Sequence, residues 1–172
     1  NDFTEENPLT SSAQLDGFII QNGFTDNGAG IYNQHASPQL TNLVIRNNVA
    51  YYQGGGMYNE NGSPWLANIE IHGNKSNYVG GGILNGNSSA PVMTNMTITG
   101  NVAMYGGGMY NGNFETNAAP ILTNVTISAN RAEEGGGRQT RIRSTEHGGS
   151  TPDPGASGGR RTFRPPDKKM EP

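Results

Sequence analysis

Arg46, Glu70 and His72 are a cation, an acid and a base that could act together on one substrate. They meet only if positions 26 apart lie on neighbouring turns of the chain, which sets Arg46 beside His72 and leaves Glu70 two residues away on the same strand face. Such a group could hold an acidic substrate and move a proton on it. The plainer reading is a solvated face on which a Glu70–Arg46 pair contributes little. No catalytic residue is assigned, and these three are the only candidates. No metal site is expected: Asp16, Asp26 and Glu60 fall at different points of the turn, and His35 and His147 lack a second ligand at a suitable spacing. Tyr32, Tyr58 and Tyr110 share one register, with Leu84 in the remaining place and Tyr52, Tyr78 and Tyr105 nearby before the glycines. As an outward column they are the candidate glycan-binding residues, unless the rings stack on one another and only shield the sheet.

These columns presuppose a repeat, and the chain has one. "GAGIYN" at 28, "GGGMYN" at 54, "GGGILN" at 80 and "GGGMYN" at 106 recur every 26 residues, and a further "GGG" at 135 breaks off. A phosphate cradle would need one copy, between a strand and a helix and usually followed by Lys; no Lys follows any of these. Between the glycines run "LDGFIIQNG", "LTNLVIRNN", "LANIEIHGN", "MTNMTITGN" and "LTNVTISAN", the last four opened by Pro38, Pro64, Pro91 and Pro120. The apolar residues alternate with period 2 and nowhere with the helical period. Units this short bury a core only by stacking. The inward columns are then Ile31, Met57, Ile83 and Met109; Leu15, Leu40, Leu66, Met93 and Leu122; Phe18, Leu43, Ile69, Met96 and Val125; and Ile20, Ile45, Ile71, Ile98 and Ile127.

Stacking sets like above like, so Asn33, Asn59, Asn85 and Asn111 should form a ladder of side-chain amides. Asn42, Asn68, Asn95 and Asn124 should form a second, and Asn48, Asn74, Asn101 and Asn130 a third. Three columns at three bends describe a coil with three sides. The glycines fit where the chain enters each coil and a Cβ would obstruct the bend and the close stacking.

The chain has 172 residues, 32% hydrophobic, with 26 glycines and no cysteine. A disulfide framework and thiolate metal sites are excluded. No apolar run approaches the roughly 18 residues of a transmembrane helix. The start, "NDFTEENPLT", lacks the features of a signal peptide and an initiator Met, as expected of a mature form or an excised piece. Charge is divided: residues 1–137 carry three basic and ten acidic side chains, and residues 138–172 carry eight and four. The expected organisation is a lead-in at 1–13, repeats at 14–137 and a Gly-, Pro- and Arg-rich tail at 138–172, disordered by composition. Where "GGGMYN" was due the chain reads "GGGRQT", which points equally to an ordinary tail and to a reading-frame shift or fused, non-native end. With few aromatic residues among its charges, the tail is a poor nucleic-acid module.

Over roughly residues 14 to 137, the phrases "GGGMYN" and "SP.L.N..I.GN.A..GGG" resemble the right-handed parallel β-helix repeat proteins of bacterial cell surfaces, including the polymorphic outer-membrane-protein type of repeat with its pectate-lyase-like fold. The resemblance implies an all-β, right-handed parallel β-helix of about five coils. It implies an extracellular or bacterial cell-surface, outer-membrane-associated setting, and a non-catalytic stalk or passenger that presents a surface to a polysaccharide or to a cell-surface glycan or protein. The alternative is a fragment of a pectate-lyase-like polysaccharide lyase or hydrolase whose catalytic coils lie elsewhere. No cofactor, nucleic acid or membrane insertion is expected, and open coil ends make end-to-end self-association an expected property.

Overall fold

A computed structural model describes residues 9–112, 118–133 and the backbone of 143–144. In it the chain winds as an all-β parallel solenoid of about four turns, with no helix among the described residues. Three parallel sheets form its sides. The first, of eight strands, holds β1 (Gln14–Asp16), β2 (Ile19–Gln21), β5 (Gln39–Thr41), β6 (Val44–Arg46), β9 (Trp65–His72), β12 (Val92–Thr99), β15 (Ile121–Ser128) and β17 (Arg143–Ser144). The second, of five, holds β3 (Phe24–Asn27), β7 (Val49–Gln53), β10 (Lys75–Ser76), β13 (Val102–Ala103) and β16 (Arg131–Ala132). The third, of four, holds β4 (Ile31–Gln34), β8 (Met57–Glu60), β11 (Ile83–Gly86) and β14 (Met109–Asn111).

The register explains how uneven units stay aligned. In the third sheet Ile31, Met57, Ile83 and Met109 are partners, a constant step of 26 residues. In the first, Gln14, Gln39, Trp65, Val92 and Ile121 are partners, and the step grows through 25, 26, 27 and 29. Most insertions therefore collect at the corner leading from the third sheet back to the first. The prolines stand at that corner. They have no N–H to give, yet Pro38, Pro64 and Pro91 continue the ladder by accepting from Trp65, Val92 and Ile121 at 3.0–3.1 Å.

The core is one side chain wide. Leu40, Leu43, Ile45, Met57, Leu66, Ile69, Ile71, Ile83, Met93, Met96, Ile98 and Leu122 are buried in one cluster, with Leu15, Ile20, Ile31, Met109 and Val125 partly buried against it. Two residues expected in the inward columns are exceptions: Phe18 is 56% and Ile127 38% exposed. Both belong to the outermost turns, where a side chain is covered from one side only.

The glycine triplets meet two demands at once. Gly54 has φ +64°, and a Cβ on Gly55 would lie 2.4 Å from the Lys75 carbonyl oxygen of the next turn. The asparagines divide differently from expectation. Asn42, Asn68, Asn95 and Asn124 (φ 52–56°) turn the chain in the left-handed region, a place taken by Gly17 in the first turn. The Asn48 column marks the bend between first and second sheets, whereas Asn33, Asn59, Asn85 and Asn111 lie within strands of the third sheet, at no bend. Most of the expected tail lies outside the described residues. Its exception is β17, which pairs in parallel with Ile121 and Leu122 of β15.

Candidate functional site

Two of the asparagine ladders are buried. Asn33 donates to Asn59, Asn59 to Asn85 and Asn85 to Asn111, from Nδ2 to Oδ1 at 2.7–2.8 Å. In the Asn48 column each Oδ1 from Asn74 onward accepts twice from the preceding turn: Asn101 Oδ1 takes the Asn74 backbone N–H at 2.9 Å and its Nδ2 at 3.0 Å. Asn101 Nδ2 in turn donates to the Ile71 carbonyl at 2.9 Å, so each amide joins three turns. The same pattern repeats at Asn74 and Asn130, and at Asn48 it begins with one donor, the Gly23 N–H, and the Nδ2 bond to the Ile20 carbonyl. The third ladder is exposed and its donors point the other way: Asn124 to Asn95, Asn95 to Asn68, Asn68 to Asn42 and Asn42 to Asp16. Asp16 also accepts from Thr41 Oγ1, and these two bonds, Thr41 first, hold its carboxyl below the usual carboxylate range.

Arg46, Glu70 and His72 stand on one outer face of the first sheet. Arg46 is the register partner of His72, and Glu70 that of Val44. They do not form an interacting group. Arg46 Nε donates to Gln21 Oε1 at 2.9 Å, on the side away from His72, and the ion pair recorded among the described residues is Arg131–Glu133 at 3.9 Å. Asp16, Asp26 and Glu60 are equally scattered, over β1, β3 and β8, and among the described residues no three His, Cys, Asp or Glu side chains gather. His35 occupies a corner at φ +48°, and His147 lies outside the described residues.

The tyrosine column of the third sheet is less open than its spacing suggests. Tyr32 and Tyr58 stack with centroids 5.0 Å apart and planes at 13°. Tyr58 is only 7% exposed, because its other side rests on Gly86, where a Cβ would come 3.2 Å from Cε2. Leu84 in the next place is buried and Tyr110 half-buried, which leaves Tyr32 as the exposed ring of the column. Glu60 binds the pair together, accepting from the Tyr32 hydroxyl, from Gln34 Nε2 at 3.3 Å and from Asn87 Nδ2 at 2.9 Å. Burial, then the Glu60 charge, pushes the Tyr58 phenol up to about 12; burial, then the hydrogen bond to Glu60, raises Tyr32 as well. A stacked pair presents edges and hydroxyls to solvent, not the ring faces on which a sugar packs.

Tyr52 and Tyr78, expected near that column before the glycines, form a second aromatic group with Tyr51. From second to third sheet the chain takes seven residues in the outer turns (Phe24 to Ile31, Val102 to Met109) but eight in the middle ones (Val49 to Met57, Lys75 to Ile83). The extra residue makes a bulge, seen as a register shift between Thr25/Asn27 and Ala50/Gln53, and it throws Tyr51, Tyr52 and Tyr78 outward. All three are exposed. Tyr51 meets Tyr52 edge-on at 4.7 Å, and Tyr52 stacks on Tyr78 at 5.9 Å with planes at 30°. The perpendicular Tyr51 is what a single stack lacks: a ring whose face is turned out of the column. The signal in the sequence is the four-residue "AYYQ" before Gly54 against the three-residue "TDN" before Gly28.

Comparison of the chain with protein-family models, with curated proteins and with solved structures found no match.

Proposed function

We propose that this chain is a non-catalytic segment of a right-handed, pectate-lyase-like β-helix outside the cell or on a bacterial cell surface, a stalk or passenger that presents a surface for adhesion or glycan contact. The observation that carries this reading is the continuity of the buried ladders. From Asn33 to Asn111 and from Asn48 to Asn130 the inward polar side chains are spent on joining turn to turn. What remains for a partner is the outer face, and there the exposed Tyr51, Tyr52 and Tyr78 offer aromatic area with hydroxyls at its rim, suited to sugars or to a protein surface. Tyr32 adds a lesser contact on the neighbouring sheet, with Tyr58 and Tyr110 behind it.

Retention of the full chain on an array of cell-surface glycans tests the reading. Binding should fall at least tenfold in the Tyr51→Ala/Tyr52→Ala/Tyr78→Ala variant and much less in Tyr32→Ala, while both keep β-type circular dichroism. Retention equal to wild type in the triple variant would remove the aromatic bulge from the proposal.

The second reading, a piece of a polysaccharide lyase or hydrolase, is favoured by the Arg46–His72 register pair with Glu70 on the same face. Unsaturated products from polygalacturonate with Ca²⁺, lost in Arg46→Ala or Glu70→Ala, would establish it over the first.

A further inference from the structure

The corner between third and first sheets carries a modification site, and we propose that Asn61 deamidates spontaneously there, converting its own amide to a carboxylate through a cyclic imide with Gly62. Asn-Gly occurs five times in the chain, at Asn22, Asn27, Asn61, Asn85 and Asn111. Glycine lets its backbone nitrogen approach the preceding side chain, so by sequence the five are alike. The fold separates them. Asn85 is fully buried, with both amide atoms engaged in the ladder. At three others the nitrogen that must attack is firmly held: the Gly112 N–H donates to the Asn85 carbonyl at 2.7 Å, the Gly28 N–H to the Gln53 carbonyl at 2.9 Å and the Gly23 N–H to Asn48 Oδ1 at 2.8 Å. The Gly62 N–H donates to Ser89 Oγ at 3.3 Å, the longest of these bonds. Asn61 itself is exposed, and among the described residues its amide makes no hydrogen bond.

The geometry of the corner explains why so reactive a pair stands there. His35, Asn61 and Asn87 hold the equivalent left-handed place in successive turns, at φ 48°, 52° and 47°. A Cβ on Gly62 would lie 2.1 Å from the Ala36 carbonyl oxygen, so in this turn the bend requires glycine after asparagine. In the next turn Ser88 follows Asn87, whose Nδ2 is given to Glu60 at 2.9 Å. Attack needs the bend to open locally, which is least costly where the backbone bonds are weakest. The Gly62 nitrogen then loses its proton and bonds to Asn61 Cγ; the Cγ–Nδ2 bond breaks, and Nδ2 leaves with that proton as ammonia. Water opens the imide at Cγ to give aspartate, or at the main-chain carbonyl to give isoaspartate. Either product sets a second carboxylate beside Glu60, which holds Tyr32, Gln34 and Asn87. Isoaspartate also adds a main-chain carbon where Gly62 packs on Ala36, and so loosens the corner behind Tyr32.

Incubation of the full chain in mildly alkaline buffer, sampled over time by peptide mapping and mass spectrometry, tests the proposal. In the folded protein the mass gain of an amide-to-acid change should appear at Asn61 roughly tenfold faster than at any other Asn-Gly, and in concentrated urea that difference should vanish. Ser89→Ala removes the hydroxyl that holds the Gly62 N–H and should speed the reaction at Asn61 severalfold. An Asn61 that reacts no faster than Asn22 or Asn27 in the folded protein would overturn the proposal. So would a rate at Asn61 that Ser89→Ala leaves unchanged. β-type circular dichroism checks that the variant folds, and if it does not, the comparison of folded and urea-treated wild type decides alone.

Discussion

The Asn74–Asn101 region and the Asn42–Asn68 region of the solenoid use the same side chain at the same spacing for different ends. At Asn74 and Asn101 the amides are buried, and each takes two hydrogen bonds and gives two, one to a carbonyl of the preceding turn and one to the next asparagine. At Asn42 and Asn68 they are exposed, and one bond joins each to its neighbour. Water can replace the second kind of bond and cannot reach the first. The exposed column persists for its backbone: its members hold φ 52–56°, a conformation Asn adopts more readily than other residues with a Cβ. Identical ladders in sequence thus mean side-chain satisfaction in one place and backbone geometry in the other.

The comparison breaks most visibly at Asn101. Asn101→Ala strands the Asn74 N–H, takes one of the two acceptors of Asn74 Nδ2 and removes the Asn101 amide donor from the Ile71 carbonyl and from Asn130 Oδ1, and should cost about 4 kcal/mol in urea unfolding. A loss under about 1 kcal/mol would mean that water enters the bend and that burial is not what distinguishes the two regions. Asn85→Ala comes next. It removes one acceptor, for Asn59, and one donor, to Asn111, and the expected cost is about 2 kcal/mol by the same measurement.

The fold was legible because its signals are strictly periodic: period 2 within strands, and 26 residues from Ile31 through Met57 and Ile83 to Met109. What escaped depends on departures from the period. Tyr52 and Tyr78 were legible as outward tyrosines before the glycines, but the one added residue before Gly54 and Gly80, which makes the bulge and joins Tyr51 to them, is slack to a repeat-based alignment. Tyr58 reads as outward, and it is; its burial comes from Tyr32 on one side and the missing side chain of Gly86 on the other, neither of which period-2 alternation encodes. Phe18 and Ile127 follow the inward pattern but stand at the ends, where a column has no further neighbour. The pairing of Arg143–Ser144 with β15 follows a stretch without the repeat's residues, so no spacing announces it.

A smaller effect sharpens the comparison at Asn68. If the exposed column is kept for its backbone, Asn68→Gly should be near neutral although it removes both ladder bonds, whereas Asn68→Ala should cost about 1 kcal/mol for a Cβ held at φ +56°. Equal losses in the two variants, measured by the shift of the urea midpoint, would show that the exposed amide bonds matter as much as the conformation.

The smallest effect is at the end of that exposed ladder, where Gly17 takes the asparagine place and the carboxylate of Asp16 beside it is the last acceptor. It accepts from Thr41 Oγ1 and, at 2.6 Å, from Asn42 Nδ2, and both bonds favour the ionised form. Its folded pKa is therefore lower than its unfolded one. The stability this contributes is fully present above the ordinary Asp value of 3.8 and is lost as pH falls through the depressed folded value. Asp16→Asn keeps an acceptor and removes the charge, so the difference in urea midpoint between wild type and variant isolates the charge. That difference should be small, because the carboxyl is solvent-exposed, and constant near neutral pH. It should shrink progressively in acid. A difference that does not change between neutral pH and acid would mean that Thr41 and Asn42 bind the charged and neutral carboxyl equally well, and that the end of the exposed ladder is held by its backbone alone, as its middle is.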